Sequence, residues 1–310
     1  MKEQEQINDS DSNGYKPVKY IRTSSLSTFA CCPRKFFYAY GLRLRTIGEH
    51  IALKFGEAIH AGAARAHEGD ITGAMIEFKE VFGENDLKGD QKRNSFVALG
   101  IFKDFAQRHQ PGVSLYNRIE RPKGSVDIKG ISTDEVVFAI DLGFDVPFVG
   151  RIDLFARHRD TGELWVVDYK TTTLGLGDWF FKAFEQCPQA IGYSLAGSII
   201  SNERVKGMMI EGLLVAKTKA EGFVFPVEIK DDEIRDWLSS VGEIRNQMLE
   251  FEERNHWPKN RYGCHPYACH GSGGFQCKYF DLCSVDDWRS LEGLFVVDDE
   301  DPYEMVVRNE

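Results

Sequence analysis

The 310-residue chain has no run of about 18 or more apolar residues, so no membrane-spanning helix is expected. Its start (Met1-Lys-Glu-Gln-Glu-Gln6) lacks the apolar core of a secretion signal, and a cytoplasmic protein is the expectation. An excess of positive charge is missing too. A net charge of -10 argues against broad, nonspecific binding to nucleic acid, although a local basic groove stays compatible with it. Part of the acidity sits in Val296-Val-Asp-Asp-Glu-Asp-Pro-Tyr-Glu304, read as a solvated acidic tail over residues 286–310. Among the seven cysteines no Cys-x-x-Cys pair occurs, which weakens a zinc-ribbon reading. In an intracellular chain these thiols point to metal ligation or free cysteines more than to disulfides.

A 42% hydrophobic fraction supports a sizeable core. Residues 146–157 and 163–172 are rich in Val, Ile, Leu, Phe and Trp, and Arg159-Asp-Thr-Gly162 between them carries turn residues, so a β-hairpin is expected. A turn centred between Asp160 and Thr161 sets Asp153 opposite Asp168, and Lys170, two residues on, shares their face. Like charges directly opposite are destabilising, so a cation is the natural reason to keep them; the plainer reading is a solvated, charged hairpin face.

Residues 1–22 are polar and read as a disordered arm. Ser24 and Ser25 can cap a short helix, and Pro33 restarts another with a basic, aromatic side. There Arg34, Lys35, Arg43 and Arg45 can meet phosphates, or simply snorkel over a core. An alanine-rich helix is expected over 51–68 with His60 inside its apolar stretch, where a hydrogen-bonded core histidine is the commoner outcome. Residues 70–110 read as helical around a loop at 83–90, and strands follow near 115–120 and 135–142. A helix over 178–201 places Gln189 and Tyr193 on one face, with Cys187 in its core. Strands at 205–216 and 223–229, joined by a turn at Lys219-Ala-Glu-Gly222, precede a helix capped by Asp231 and reaching about Arg254. The fold class is therefore α/β, with a mixed central β-sheet flanked by helices.

Cys264, Cys269, Cys277 and Cys283 lie in a Gly-, Pro- and aromatic-rich stretch with little regular structure of its own. Four thiolates there suit either tetrahedral zinc or an iron-sulfur cluster, with His265 and His270 as further candidate ligands.

Several motifs in order carry a resemblance: Ser25-Leu-Ser-Thr-Phe-Ala-Cys-Cys-Pro-Arg-Lys-Phe36, Gly56-Glu-Ala-Ile-His60, Gly150-Arg-Ile-Asp153, Asp168-Tyr-Lys170, Gln189-Ala-Ile-Gly-Tyr193 and the C-terminal cysteines. Over roughly residues 23–285 the chain resembles the RecB-like branch of the PD-(D/E)XK nuclease superfamily, which includes AddB-type and CRISPR-associated exonucleases with an iron-sulfur cluster. The resemblance implies a restriction-endonuclease-like core over 23–285, with 70–110 as a helical insertion and 23–45 and 257–285 as a cluster-binding clasp. It implies a divalent ion, Mg²⁺ or Mn²⁺, on His60, Asp153, Asp168 and the Tyr169 carbonyl, the imidazole being more congenial to Mn²⁺. Lys170 would orient or help deprotonate the attacking water, while Gln189 and Tyr193 would support the site and contact the strand. A 4Fe-4S cluster would take Cys32, Cys277, Cys283 and Cys264, with Cys31 and Cys269 as alternates and zinc as the alternative metal. The implied activity is a metal-dependent DNA exonuclease acting on ends or single strands in recombination, repair or phage DNA processing, with an unspecified recombination or helicase partner. A catalytically silent DNA-binding module and a zinc-stabilised structural protein are the other readings.

Overall fold

The computed structural model describes residues 14–48, 50–122, 135–260, 277–285, 287–291 and 293–298, with Tyr303 and Val307. The expected ligands Cys264 and Cys269, like His265 and His270, lie outside them. The helices are Thr23–Cys31 (α1), Pro33–Phe36 (α2), Ile51–His67 (α3), Ile71–Phe82 (α4), Ser95–Arg108 (α5), Asp178–Lys182 (α6), Pro188–Ser201 (α7) and Asp231–Glu253 (α8). The strands are Leu44–Thr46 (β1), Tyr116–Arg118 (β2), Val136–Ile140 (β3), Phe148–Ile152 (β4), Leu154–His158 (β5), Leu164–Thr172 (β6), Val205–Val215 (β7), Ala220–Glu228 (β8) and Phe295–Val297 (β9). Two compact units divide the chain: a terminal unit (Met1–Gly48, Asp141–Val149, Leu238–Glu310) and a sheet unit (Glu49–Ile140, Gly150–Trp237).

The sheet unit is built on a mixed five-stranded sheet in the order β2-β5-β6-β7-β8, in which β6 and β7 run parallel and the other neighbours antiparallel. Leu164 to Tyr169 are all buried, the pattern of a central strand covered on both faces. A parallel pair needs a crossover, and α6 and α7 supply it. The side chains of Trp165, Val167 and Tyr169 join a core with Phe55 and Ile59 of α3, Phe78 and Phe82 of α4, and Phe102 and Phe105 of α5. On the other face Val166 lies against Gly197 of α7. Because side chains alternate along a strand, Asp168 and Lys170 are carried to the α7 face.

The hairpin has the expected register. Leu154 pairs with Val167 and Arg157 with Leu164, so one further step brings Asp153 opposite Asp168. Its loop closes through His158 and Glu163, with Gly162 left-handed at φ 71°, a conformation that favours glycine. Residues 146–157, however, are two strands. The break falls at Asp153, whose carboxylate takes the Tyr169 N–H at 3.0 Å, so a side chain stands in the ladder where a carbonyl would. The helix expected over 178–201 is also two pieces, since Pro188 drives Cys187 to extended backbone (ψ 125°). Cys187 caps α7, half-buried, instead of sitting in its core. The β7–β8 connection lies before Ala220, ahead of the expected turn.

In the terminal unit, residues assigned to the polar arm pack. The Tyr15 ring stacks on Phe37 and leans on Trp257, its hydroxyl donates to Glu252, and Ile21 is fully buried and bridges to Phe148. The apolar Tyr15, Val18, Tyr20 and Ile21 give this segment enough surface to bury. The acidic tail is likewise not wholly solvated: β9 pairs antiparallel with β1, Leu44 opposite Val297 and Thr46 opposite Phe295. Among the described residues no helix is long and apolar enough to cross a membrane.

Candidate active site

Four elements of the sheet unit converge on the hairpin. Asp153 and Asp168 are buried to 6% and 4% exposure. Gln189, in the first turn of α7, donates to Asp168 Oδ1 at 2.8 Å and accepts from Lys170 Nζ at 3.2 Å, so one amide fixes both charged groups. Lys170 Nζ stands 2.6 Å from Asp168 Oδ2, yet that oxygen is fully buried and has no directed hydrogen bond. From α3, His60 reaches the other carboxylate: Nδ1 lies 3.3 Å from Asp153 Oδ2 and Nε2 is 2.9 Å from the Tyr169 carbonyl oxygen. Tyr193, one helical turn beyond Gln189, sets its ring edge-on to Phe138 at 5.5 Å. A Cβ at Gly150 would meet that ring at 2.9 Å and Phe138 at 2.5 Å, so the glycine before Arg151-Ile-Asp153 is required by close packing.

Charge in this cluster is unevenly balanced. Burial pushes the Asp168 pKa up, and Asp153 adds to the push while Lys170 opposes it. For Asp153 burial acts the same way, but His60 and the Tyr169 N–H outweigh it and the pKa is lowered. Both ring nitrogens of His60 face acceptors, so despite burial the imidazolium is favoured, chiefly by Asp153, and its pKa is raised. Burial disfavours the Lys170 ammonium, yet Asp168 more than compensates and raises its pKa.

Residues 23–284 match the family model of the PD-(D/E)XK nuclease superfamily. The chain belongs to that superfamily. In this PD-(D/E)XK nuclease the mixed sheet flanked by helices is the restriction-endonuclease-like core, and Asp153, Asp168 and Lys170 stand at its centre. The chain is also similar to the crystal structure of a "putative exonuclease" from Eubacterium rectale, at 15% identity over 91% of this chain and 98% of that one, TM-score 0.49. A second similar structure is that of SSO0001, at 12% identity over 75% and 78%, TM-score 0.31. No curated protein matches the chain.

Nucleases of this superfamily use divalent metals, and the residues here fit one. Single ligand atoms of His60, Glu135 and Asp153 all lie within 4.8 Å of one another, a donor set of hard oxygens and one imidazole. Asp168 Oδ2, buried and 2.6 Å from the Lys170 ammonium, is a further hard oxygen donor beside this group. Glu135 was missing from the residues expected at the site. It immediately precedes β3, is 6% exposed, and pairs with Arg151 at 3.5 Å. A charged residue heading the apolar run Val136–Ile140 is the signal that marked it. Asp168 is outside the tight triad, turned instead to Lys170 and Gln189.

In the terminal unit Cys32 caps α2, and its Sγ accepts from the Asn260 N–H at 3.5 Å. Asn260 also bonds the Cys31 carbonyl, Tyr38 the Leu282 carbonyl and Tyr279 the Leu44 carbonyl, so the N- and C-terminal segments are stitched together by protein groups. Burial raises the Cys283 pKa, with Lys259 opposing and Cys32 and Cys277 adding to the rise. Among the described residues no cysteines form a group as tight as the His60 triad.

Proposed function

We propose that this nuclease is a metal-dependent DNA exonuclease of the RecB-like branch, hydrolysing phosphodiester bonds at ends or in single strands during recombination, repair or phage DNA processing. The observation that carries the reading is the convergence of Asp153, Asp168 and Lys170, locked by Gln189, in a PD-(D/E)XK chain.

His60, Glu135, Asp153 and Asp168, with the Tyr169 carbonyl, would hold Mg²⁺ or Mn²⁺. When bound, such an ion would supply positive charge against the developing phosphate charge and lower the pKa of the attacking water. Hydrolysis needs that water placed in line with the leaving oxygen and the extra negative charge on phosphorus met by fixed positive groups. Lys170 does both. Its raised pKa keeps it an ammonium, so it acts first as an orienting donor and charge partner. Service as a base requires prior loss of its proton. Gln189 holds Lys170 against Asp168, and Tyr193 supports the wall behind the hairpin.

A 4Fe-4S cluster in the terminal unit is part of the same reading. Its support is the order of the cysteine motifs and the hydrogen bonds that hold Cys31 and Cys32 to Asn260 and Tyr38 to Leu282 beside Cys283; Cys264 or Cys269 would complete it. An anaerobically purified protein should be brown, whereas colourless, zinc-containing protein rejects the cluster.

The test is degradation of end-labelled single- and double-stranded DNA with Mg²⁺, Mn²⁺ or EDTA. Wild type should release short products with metal and none with EDTA. Lys170→Ala should be slower by about 10³-fold, and equal degradation by the two proteins rejects the assignment.

A further inference from the structure

Beside the candidate site, in the sheet unit, lies a run of aromatic side chains that the proposed hydrolysis leaves unused. Strand β6 ends at Thr172, whose hydroxyl accepts the Leu174 N–H at 3.2 Å, and Gly175 follows at φ 114°, a conformation that favours glycine. The chain then folds back over the sheet into α6. It settles on Gly212, the partner of Lys170 across the parallel β6–β7 pair. A Cβ there would meet Leu176 at 2.7 Å, Phe180 at 3.0 Å and Phe181 at 3.1 Å. Paired residues of neighbouring strands point to one face, about 4.8 Å apart. The missing side chain at Gly212 therefore lets Leu176 and Phe180 down beside the Lys170 strand.

From there the rings run outward. Phe180 packs edge-on against Phe181 at 5.0 Å, Phe184 at 5.4 Å and Trp179 at 6.1 Å, and Phe181 packs on Phe223 of β8 at 5.3 Å. Phe181 is buried, but Trp179 is 56% exposed, Phe223 54% and Leu174 79%. The indole is placed all the same, since a Cβ at Gly177 would stand 3.2 Å from it. Single exposed apolar residues are ordinary; several together mark a contact surface. Continuity with the candidate site says what covers this one. A strand whose phosphate is held at Lys170 carries its flanking base beside the same sheet strands, and the indole is one ring removed from the neighbour of Lys170. Stacking on an aromatic face suits any base. Asp178, Lys182 and Glu185 around it are exposed and form no basic stripe, so the ring and not charge does the holding. We propose that Trp179 is a stacking platform for the base next to the scissile phosphate of a single DNA strand. The choice of DNA rests on the nuclease reading.

Fluorescence anisotropy with a labelled oligothymidylate, in EDTA so that nothing is cleaved, tests this on the full chain. Trp179→Ala should weaken binding about tenfold, the scale of one lost stack, and leave the slope of log affinity against log salt unchanged, since no phosphate contact is removed. Trp179→Phe keeps a ring and should stay within about threefold of wild type, which separates stacking from misfolding. Oligothymidylates lacking one base, with the gap moved inward from the end, locate the stack. At one position the gap should cost wild type about tenfold and Trp179→Ala nothing, the two losses being one interaction. No binding by wild type, wild-type affinity in Trp179→Ala, or the same penalty for every gap in both proteins overturns the proposal. So does a wild type that sediments as a dimer when Trp179→Ala is a monomer, because the face then belongs to a second copy. Cleavage is scored separately with Mg²⁺ or Mn²⁺. A wild type that never cleaves but shows the position-specific loss removes the nuclease reading and keeps the stacking site; an active enzyme without that loss does the reverse.

Discussion

Tyr169 and Glu211 are partners across the parallel β6–β7 pair, so Glu211 and Asp168 are buried carboxylates on neighbouring strands, and their surroundings differ in kind. Glu211, fully buried, accepts from Arg108 at 2.6 Å, from His109 at 3.0 and 3.1 Å, and from the Tyr116 hydroxyl. Burial alone would raise its pKa, but His109, then Arg108 and Tyr116, hold it at about 2. Asp168 has one oxygen bonded by Gln189, the other held only by the half-buried Lys170 ammonium, a like charge opposite and a raised pKa. A buried charge stabilises a fold when its partners are complete; one left incomplete, beside a second carboxylate, marks a place kept for something else. The first cluster ties α5 and β2 to the sheet, and the second is the proposed site.

The sharpest way to break the contrast is to remove a charge from each cluster. Asp168→Asn should cut DNA cleavage by on the order of 10³-fold with little loss of stability, because its raised pKa means the neutral form suits the fold, measured by product release and thermal melting. Glu211→Gln should do the opposite: about 3 kcal/mol of stability lost by denaturant titration, because Arg108 and His109 are left facing a neutral group, while the folded fraction still cleaves. Acid should find the Glu211 region first. His67, ring-stacked on His109 at 4.4 Å, has its pKa lowered from 6.5 to about 4 by burial and then by His109. The unfolded chain therefore takes this proton first, and stability falls as pH drops from about 6.5 towards 4, by on the order of 2 kcal/mol. The depressed Glu211 pKa continues the loss from 4.5 towards 2. His67→Phe should flatten the upper part of that window in melting curves taken across pH.

Much of this site is legible in the chain because a β-hairpin is local: a turn at Arg159–Gly162 fixes the register, and the register alone brings Asp153 to Asp168. His60 and Gln189 needed the family's motif order, since nothing local distinguishes a ligand histidine from a core one, or a clamping glutamine from an exposed helix side. Glu135 escaped because its partners His60 and Asp153 are joined to it only by tertiary packing. The strand break at Asp153 was hidden for a related reason. A side chain replaces a backbone acceptor there, and apolar runs on both sides read as one strand. The helix break was in plain view at Pro188, where the apolar periodicity of Ile191 to Ile200 masked it. Tyr15 and Ile21 in the arm, and Phe295 in the tail, show single apolar residues ordering segments whose average composition reads as solvated.

The central claim, that the Asp153–Asp168 cluster is left incomplete in order to hold a cation, is tested most directly by thermal denaturation of wild type and Asp168→Asn with and without Mn²⁺. The account predicts that Asp168→Asn without metal melts at or above wild type, because a raised pKa means the neutral form suits the fold better. It also predicts that Mn²⁺ at a hundred times its dissociation constant stabilises wild type by about 2.7 kcal/mol and the variant far less. An Asp168→Asn protein that is destabilised as strongly as Glu211→Gln, and that responds to Mn²⁺ as wild type does, would contradict it.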